Sequence, residues 1–162
     1  MPDILTVEGL TVRLAAYTDR SSILDDVSLT VAPGEVLGIV GESGSGKSVL
    51  ALSLMGLLPP ALAMSARHVN LFGHDLAGKP PGAWRTHRGR DMAMIFQEPM
   101  TSLNPVMRIG TQIEEVLRWR GRVGRRAARR QAIRLLEQVE IPAPESRLLA
   151  YPHELSGGMR QR

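Results

Sequence analysis

"VLGIVGESGSGKSVLALSL", Val36 to Leu54, decides the fold class. Its first five residues, Val36 to Val40, are wholly apolar, the composition of a strand covered on both faces. The next eight, Gly41 to Ser48, satisfy G-x-x-x-x-G-K-[ST], and from Lys47 to Leu58 the composition is helical until Pro59. Buried strand, glycine-rich loop and helix are the setting in which this pattern binds phosphate.

The residue types follow from that chemistry. A loop whose amides must wrap phosphate closely cannot carry side chains at Gly41, Gly44 and Gly46, while Glu42, Ser43 and Ser45 complete the turn and offer their backbone N–H groups. Lys47 is expected to reach the β and γ phosphates, and the Ser48 hydroxyl to ligand a magnesium ion. Of twenty basic residues only Lys47 and Lys79 are lysines, so one stands at the single position where a compact ammonium is wanted. Given the glycine content, a chance match is on the order of one in a few hundred such chains. Nucleotide binding is the inference, with hydrolysis, kinase and motor roles still open.

Working outward, "LTVEGLTVRL" and "VSLTV" alternate with period two and predict an antiparallel element ahead of the loop, joined to it by the turn "APGE". Beyond the loop, "RHVNLFGHDL" predicts a strand and "MAMIF", Met92 to Phe96, a second buried one. From Thr111 the period changes. "TQIE" reads as a capping box, and helices are predicted over Thr111 to Arg120 and Arg125 to Glu140, with Ile113, Val116, Leu117, Ile133, Leu135, Leu136 and Val139 facing a core. Gly121 to Gly124 separates the helices, and Pro142 and Pro144 stop the second.

The 162 residues suffice for one domain with a core, and 43% hydrophobic content with 22% charge fits a globular protein. The longest apolar run, Val49 to Met64, is too short for a membrane span and is broken by Pro59 and Pro60. No secretory signal pattern is present, which makes the cytoplasm the expected compartment, and zero cysteines exclude disulfides and thiolate metal sites. The net charge is only +4, yet Arg118, Arg120, Arg122, Arg125, Arg126, Arg129, Arg130 and Arg134 crowd one segment. That block reads either as a solvated helical face or as one placed near anionic lipid head groups or phosphate.

Two further segments narrow the class: "MIFQEPMTSLNPVMRIGTQIEEVL", Met94 to Leu117, and "YPHELSGGMRQR", Tyr151 to Arg162. With Gly41 to Ser48, in that order, they resemble the ATP-binding subunits of ABC transporters, specifically the oligopeptide, dipeptide and nickel importer group, from about Leu5 to Arg162. The resemblance implies an α/β fold of the phosphate-loop NTPase type with an N-terminal antiparallel β element and an α-helical subdomain. It divides the chain into an ATP-binding core, about 1–98, and a part of about 99–162 holding the Q-loop, the helical subdomain and the signature motif. By the same resemblance Gln97 is the Q-loop glutamine, approaching magnesium and the attacking water, while Ser156, Gly157 and Gly158 of the signature contact the γ-phosphate held by a second ATP-binding subunit in a head-to-tail dimer. Tyr17 is the candidate for stacking on adenine, or else a loop tyrosine; in this group the aromatic often lies nearer Leu14.

The implied cofactors are ATP and Mg2+. The implied partners are transmembrane permease subunits, with an indirect link to a solute-binding protein, at the cytoplasmic face of the membrane; no nucleic acid is expected. After the signature helix the family places an apolar strand ending in Asp-Glu, which lies beside the phosphate-loop strand, and then a histidine. These 162 residues contain no such strand, and His68, His74, His87 and His153 stand in other contexts, so Arg162 reads as a truncation point and the polypeptide is expected to be inactive alone. A soluble ABC-type ATPase acting on nucleic acid and a non-catalytic nucleotide-binding remnant are the alternatives.

Overall fold

The alternation in "LTVEGLTVRL" becomes β1 (Leu5–Leu14), and the segment around "VSLTV" becomes β2 (Ser22–Val31). A computed structural model describes residues 3–16, 22–96, 102–121 and 123–162, which form two compact units, Met1–Ala93 and Met94–Arg162. In the first unit β1 pairs antiparallel with β2 along one edge. Along its other edge β1 pairs with β4 (His68–Leu71) over its first half and with β3 (Leu62–Ser65) over its second, and β5 (His74–Asp75) closes the β4 side.

Strict alternation from Val7 would turn Leu10 away from the core. Gly9, at φ 65°, inserts one extra residue in β1, and the register jumps from Val7↔Leu29 to Leu10↔Val27, so Val7, Leu10 and Val12 all lie buried on one face. Asp26, at φ 48°, marks the compensating extra residue in β2. "RHVNLFGHDL" is a hairpin where one strand was expected. Phe72 and Gly73 both have positive φ, and the Asn70 side chain accepts the Gly73 N–H at 2.8 Å, the chemistry of a tight two-residue turn.

Helix α1 (Lys47–Leu54) packs Leu50 and the fully buried Ser53 against this sheet, the Ser53 hydroxyl donating to Val49 O at 2.7 Å. The helix stops earlier than expected, because Gly56 ends it instead of Pro59. Gly56 has φ 61°, its N–H reaches Ser53 O and the Leu57 N–H reaches Leu52 O, a glycine-terminated cap. A Cβ on Gly56 would stand 2.7 Å from the buried Trp84 ring of α2 (Pro81–His87), so small size is required there as well. At the end of α2, buried His87 meets Asp91 at 2.7 Å. Arg90, followed by His87, holds the Asp91 carboxyl well below the usual range, at about 2.

The two apolar runs expected as buried strands are not strands here. Val36 and Val40 are 94% and 97% exposed and Ile95 is 91% exposed, and among the described residues nothing pairs with 36–40 or 94–96. A doubly apolar strand is stable only with ladders on both edges and cover on both faces, and neither is supplied here. The turn before the first run does form as read: the Glu35 carboxylate accepts the Ala32 N–H at 2.6 Å and the Glu35 N–H reaches Ala32 O.

In the second unit α3 (Ile109–Gly121) and α4 (Arg125–Gln138) pack as a helical pair. "TQIE" does not cap α3, which begins two residues before Thr111. The Ile109 and Gly110 N–H groups are instead taken by Ala150 O and Leu148 O, just beyond the one-turn helix α5 (Pro144–Arg147). Gln112 stitches the preceding loop, accepting the Asn104 N–H and donating to Asn104 O and Met107 O. The buried stripe of α4 is Ala128, Ala132 and Leu136; Leu135 and Val139, expected inside, are exposed, as is Val116 of α3. The N-terminus of α4 carries Arg125 and Arg126 with no acidic residue in the first turn and no side-chain cap, which disfavours the helix by about 0.3–1 kcal/mol per charge.

Candidate nucleotide-binding site

A lysine ammonium has three N–H donors, and Lys47 uses all three inside its own loop. Its Nζ donates to Gly41 O and Glu42 O, each at 2.6 Å, and to Ser45 Oγ at 3.1 Å. The Ser45 N–H closes the turn onto Glu42 O, so residues 41–47 wrap one positive charge. That charge stands at the entrance to α1, whose first amides and dipole favour an anion.

The three glycines serve different physical needs. A Cβ on Gly41 would lie 2.7 Å from Ser45 Oγ and 3.9 Å from Lys47 Nζ, so Gly41 keeps the inside of the wrap open. Gly44, at φ +85°, has open space around it and is required by its left-handed backbone. Gly46, at φ +89°, is left-handed and also crowded, since its Cβ would meet Leu24 Cδ2 at 2.7 Å and Ile23 O at 3.2 Å. The loop is thereby seated directly on β2. Gly46→Ala is expected to destabilise the first unit by more than the about 1–2 kcal/mol of left-handed backbone strain alone, and Gly44→Ala by that strain only. Urea unfolding of the two variants measures the difference, and equal losses would mean that Leu24 moves aside.

Ser48 lies in the first turn of α1, is exposed, and its hydroxyl has no hydrogen-bond partner among the described residues, which fits a position on a hard cation that takes oxygen ligands. Among the described residues no three His, Asp or Glu side chains gather as a metal cluster. Gln97 and Tyr17 lie outside the described residues. Glu42 and Ser43 sit exposed on the rim of the loop.

The second candidate group is built at the end of the other unit. Ser156 caps α6 (Gly157–Gln161), its hydroxyl accepting the Met159 N–H at 3.3 Å. Buried Leu155 precedes it, and Met159 packs on the cluster of Ala132, Leu136, Ile141 and Leu148. Held between those two anchors, Ser156, Gly157 and Gly158 are exposed, and a Cβ on either glycine would meet nothing within 4 Å. Their smallness has no use in internal packing. At the far end of the motif the Arg162 guanidinium donates to Glu140 O at 3.1 Å and Val139 O at 3.5 Å, setting a cation on the carbonyls that end α4. Sequence reasoning did not find this contact, which joins residues far apart in the chain. His153 stacks on Tyr151 at 5.7 Å between ring centroids, and Arg108 lies over the same Tyr151 ring.

Known proteins share this chain's pattern. A family model described as "ABC transporter" matches residues 24–162. The chain is 48% identical over 160 residues to the peptidoglycan transport ATP-binding protein YejF of Agrobacterium fabrum, covering 98% of this chain and 29% of that protein. It is 46% identical over 165 residues to the glutathione import ATP-binding protein GsiA of Pectobacterium atrosepticum, covering 98% and 26%. Against the oligopeptide transport ATP-binding protein OppD of Bacillus subtilis it is 44% identical over 160 residues, covering 98% and 45%. The chain therefore spans from about a quarter to just under half the length of these relatives. A family match that runs unbroken from β2 through the serine-capped helix α6 makes this chain a member of the ABC transporter family.

Proposed function

We propose that this chain forms the nucleotide-binding part of an importer ATPase, holding ATP with Mg2+ on Gly41 to Ser48 and contributing Ser156, Gly157 and Gly158 to the nucleotide of a second subunit. The observation that carries the reading is the loop closed around Lys47: an ammonium already surrounded by three oxygens exchanges them for phosphate oxygens with little rearrangement. The loop amides of Glu42 and Ser43 orient the phosphate chain, Ser45 joins them once its N–H leaves Glu42 O, and Lys47 neutralises the β and γ charges. Ser48 and Gln97 hold the metal, which supplies charge neutralisation along the phosphates when bound. Tyr17 is the candidate for stacking on adenine.

The boundary between an ATP-binding core of about 1–98 and a Q-loop, helical and signature part of about 99–162 belongs to the same proposal. So do permease subunits as partners, a solute-binding protein acting through them, and a peripheral position on the cytoplasmic face of the membrane. The names of the relatives support peptides or peptide-like solutes as cargo. Among the described residues no helix is long and apolar enough to cross a membrane. Calorimetry with ATP, with and without Mg2+, tests the reading. Metal should tighten binding, and Ser48→Ala should remove most of that gain, about tenfold, for the loss of one hard oxygen ligand. ATP affinity indifferent both to metal and to Ser48 would overturn it.

A further inference from the structure

We propose that the tip of the α3–α4 hairpin is a docking surface for an anionic lipid bilayer. From Val116 to Arg134 the sequence holds eight arginines and no acidic residue. Arg118, Arg125, Arg126 and Arg130 are exposed with no carboxylate partner among the described residues, whereas Arg129 is drawn to Glu114 at 3.8 Å. Two of these charges sit at the N-terminus of α4, where they oppose the helix dipole, so local stability does not account for them.

The apolar side chains of the same tip separate a bilayer from other polyanions. Trp119 is 68% exposed and Val116, one turn earlier on α3, is 51% exposed, while Ile113 and Leu117 face the core instead. An exposed tryptophan one turn from an exposed aliphatic side chain, in a segment rich in arginine, matches the boundary between head groups and acyl chains, where indole is amphipathic and guanidinium meets phosphate. Nucleic acid would use the arginines but gains nothing from Val116. Among the described residues of α3, Glu115 is the exposed acidic side chain, and Glu114 is held by Arg129. The inference requires no nucleotide and does not rest on the ATPase reading.

The test is co-sedimentation of the full chain with phosphatidylcholine vesicles, with and without 30% (roughly one lipid in three) phosphatidylglycerol, followed by tryptophan emission. Binding is expected only with the anionic lipid, fading with salt, with a blue shift that Trp119→Ser abolishes; Trp84 is buried and silent. Arg125→Gln with Arg126→Gln should weaken partitioning roughly thirtyfold, about fivefold per charge. Circular dichroism confirms that α4 persists in the variants. Equal binding to neutral vesicles, unchanged binding of the double variant, an unshifted Trp119, or tighter binding to a DNA duplex at the same salt would each overturn the proposal.

Discussion

Lys47→Ala is expected to weaken ATP binding by a hundredfold or more, because it removes a charge-assisted contact of about 3 kcal/mol. The same change also releases Gly41 O, Glu42 O and Ser45 Oγ, so part of the loss reflects a loop that no longer closes. Lys47→Arg separates the two effects. A guanidinium keeps the charge but cannot place three donors on oxygens so near one another, so it should restore only a small part of the affinity. Titration calorimetry of the three proteins decides the matter. Equal affinity for the alanine variant would remove the loop from the binding site.

A polypeptide of these 162 residues is expected to release phosphate from ATP no faster than its Lys47→Ala variant, at least about a thousandfold below an enzyme with a positioned carboxylate. No apolar run here ends in Asp-Glu, and the nearest acid to the loop, Glu42, contributes its backbone carbonyl to Lys47 while its side chain is exposed. Ser156, Gly157 and Gly158 are exposed, and on the proposed function they act only on the nucleotide of a second subunit. Phosphate release measured over a range of protein concentrations provides the check. Turnover that depends on Lys47 and rises with concentration would identify a carboxylate within this chain, Glu42 first, as the group that polarises water.

The phosphate loop was legible because its requirements are local: each glycine answers to a backbone angle or a contact within a few residues or with β2. The extent of β1 was legible for the same reason, since alternation records which face is buried, but of β2 only Val27 to Val31 was read, and the extra residues at Gly9 and Asp26 were not. Longer-range contacts were not readable. Gly56 ends α1 because of a ring supplied by Trp84, and the sequence offered Pro59 as a plausible stop. The inner stripe of α4 was misplaced because alanines carry little hydrophobic signal, although Ala128 and Ala132 are what allow a close helix pair. In Val36 to Val40 the residue types were read correctly as wanting burial, but composition states a demand for neighbours and cannot supply them. Gln97 and Tyr17, outside the described residues, rest on resemblance alone.

The bare run Val36 to Val40 leads directly into Gly41, so the adhesive and the ligand-binding parts of the chain are contiguous. Unpaired backbone flanked by exposed valine and isoleucine is a template for edge-to-edge pairing, so a polypeptide of these residues is expected to self-associate as its concentration rises. Any ligand that fixes the loop restricts the conformations from which such stacking starts, and mass action then draws molecules out of the self-associating pool. Nucleotide would in that case act on this chain as a solubiliser, keeping copies apart for as long as it stays bound.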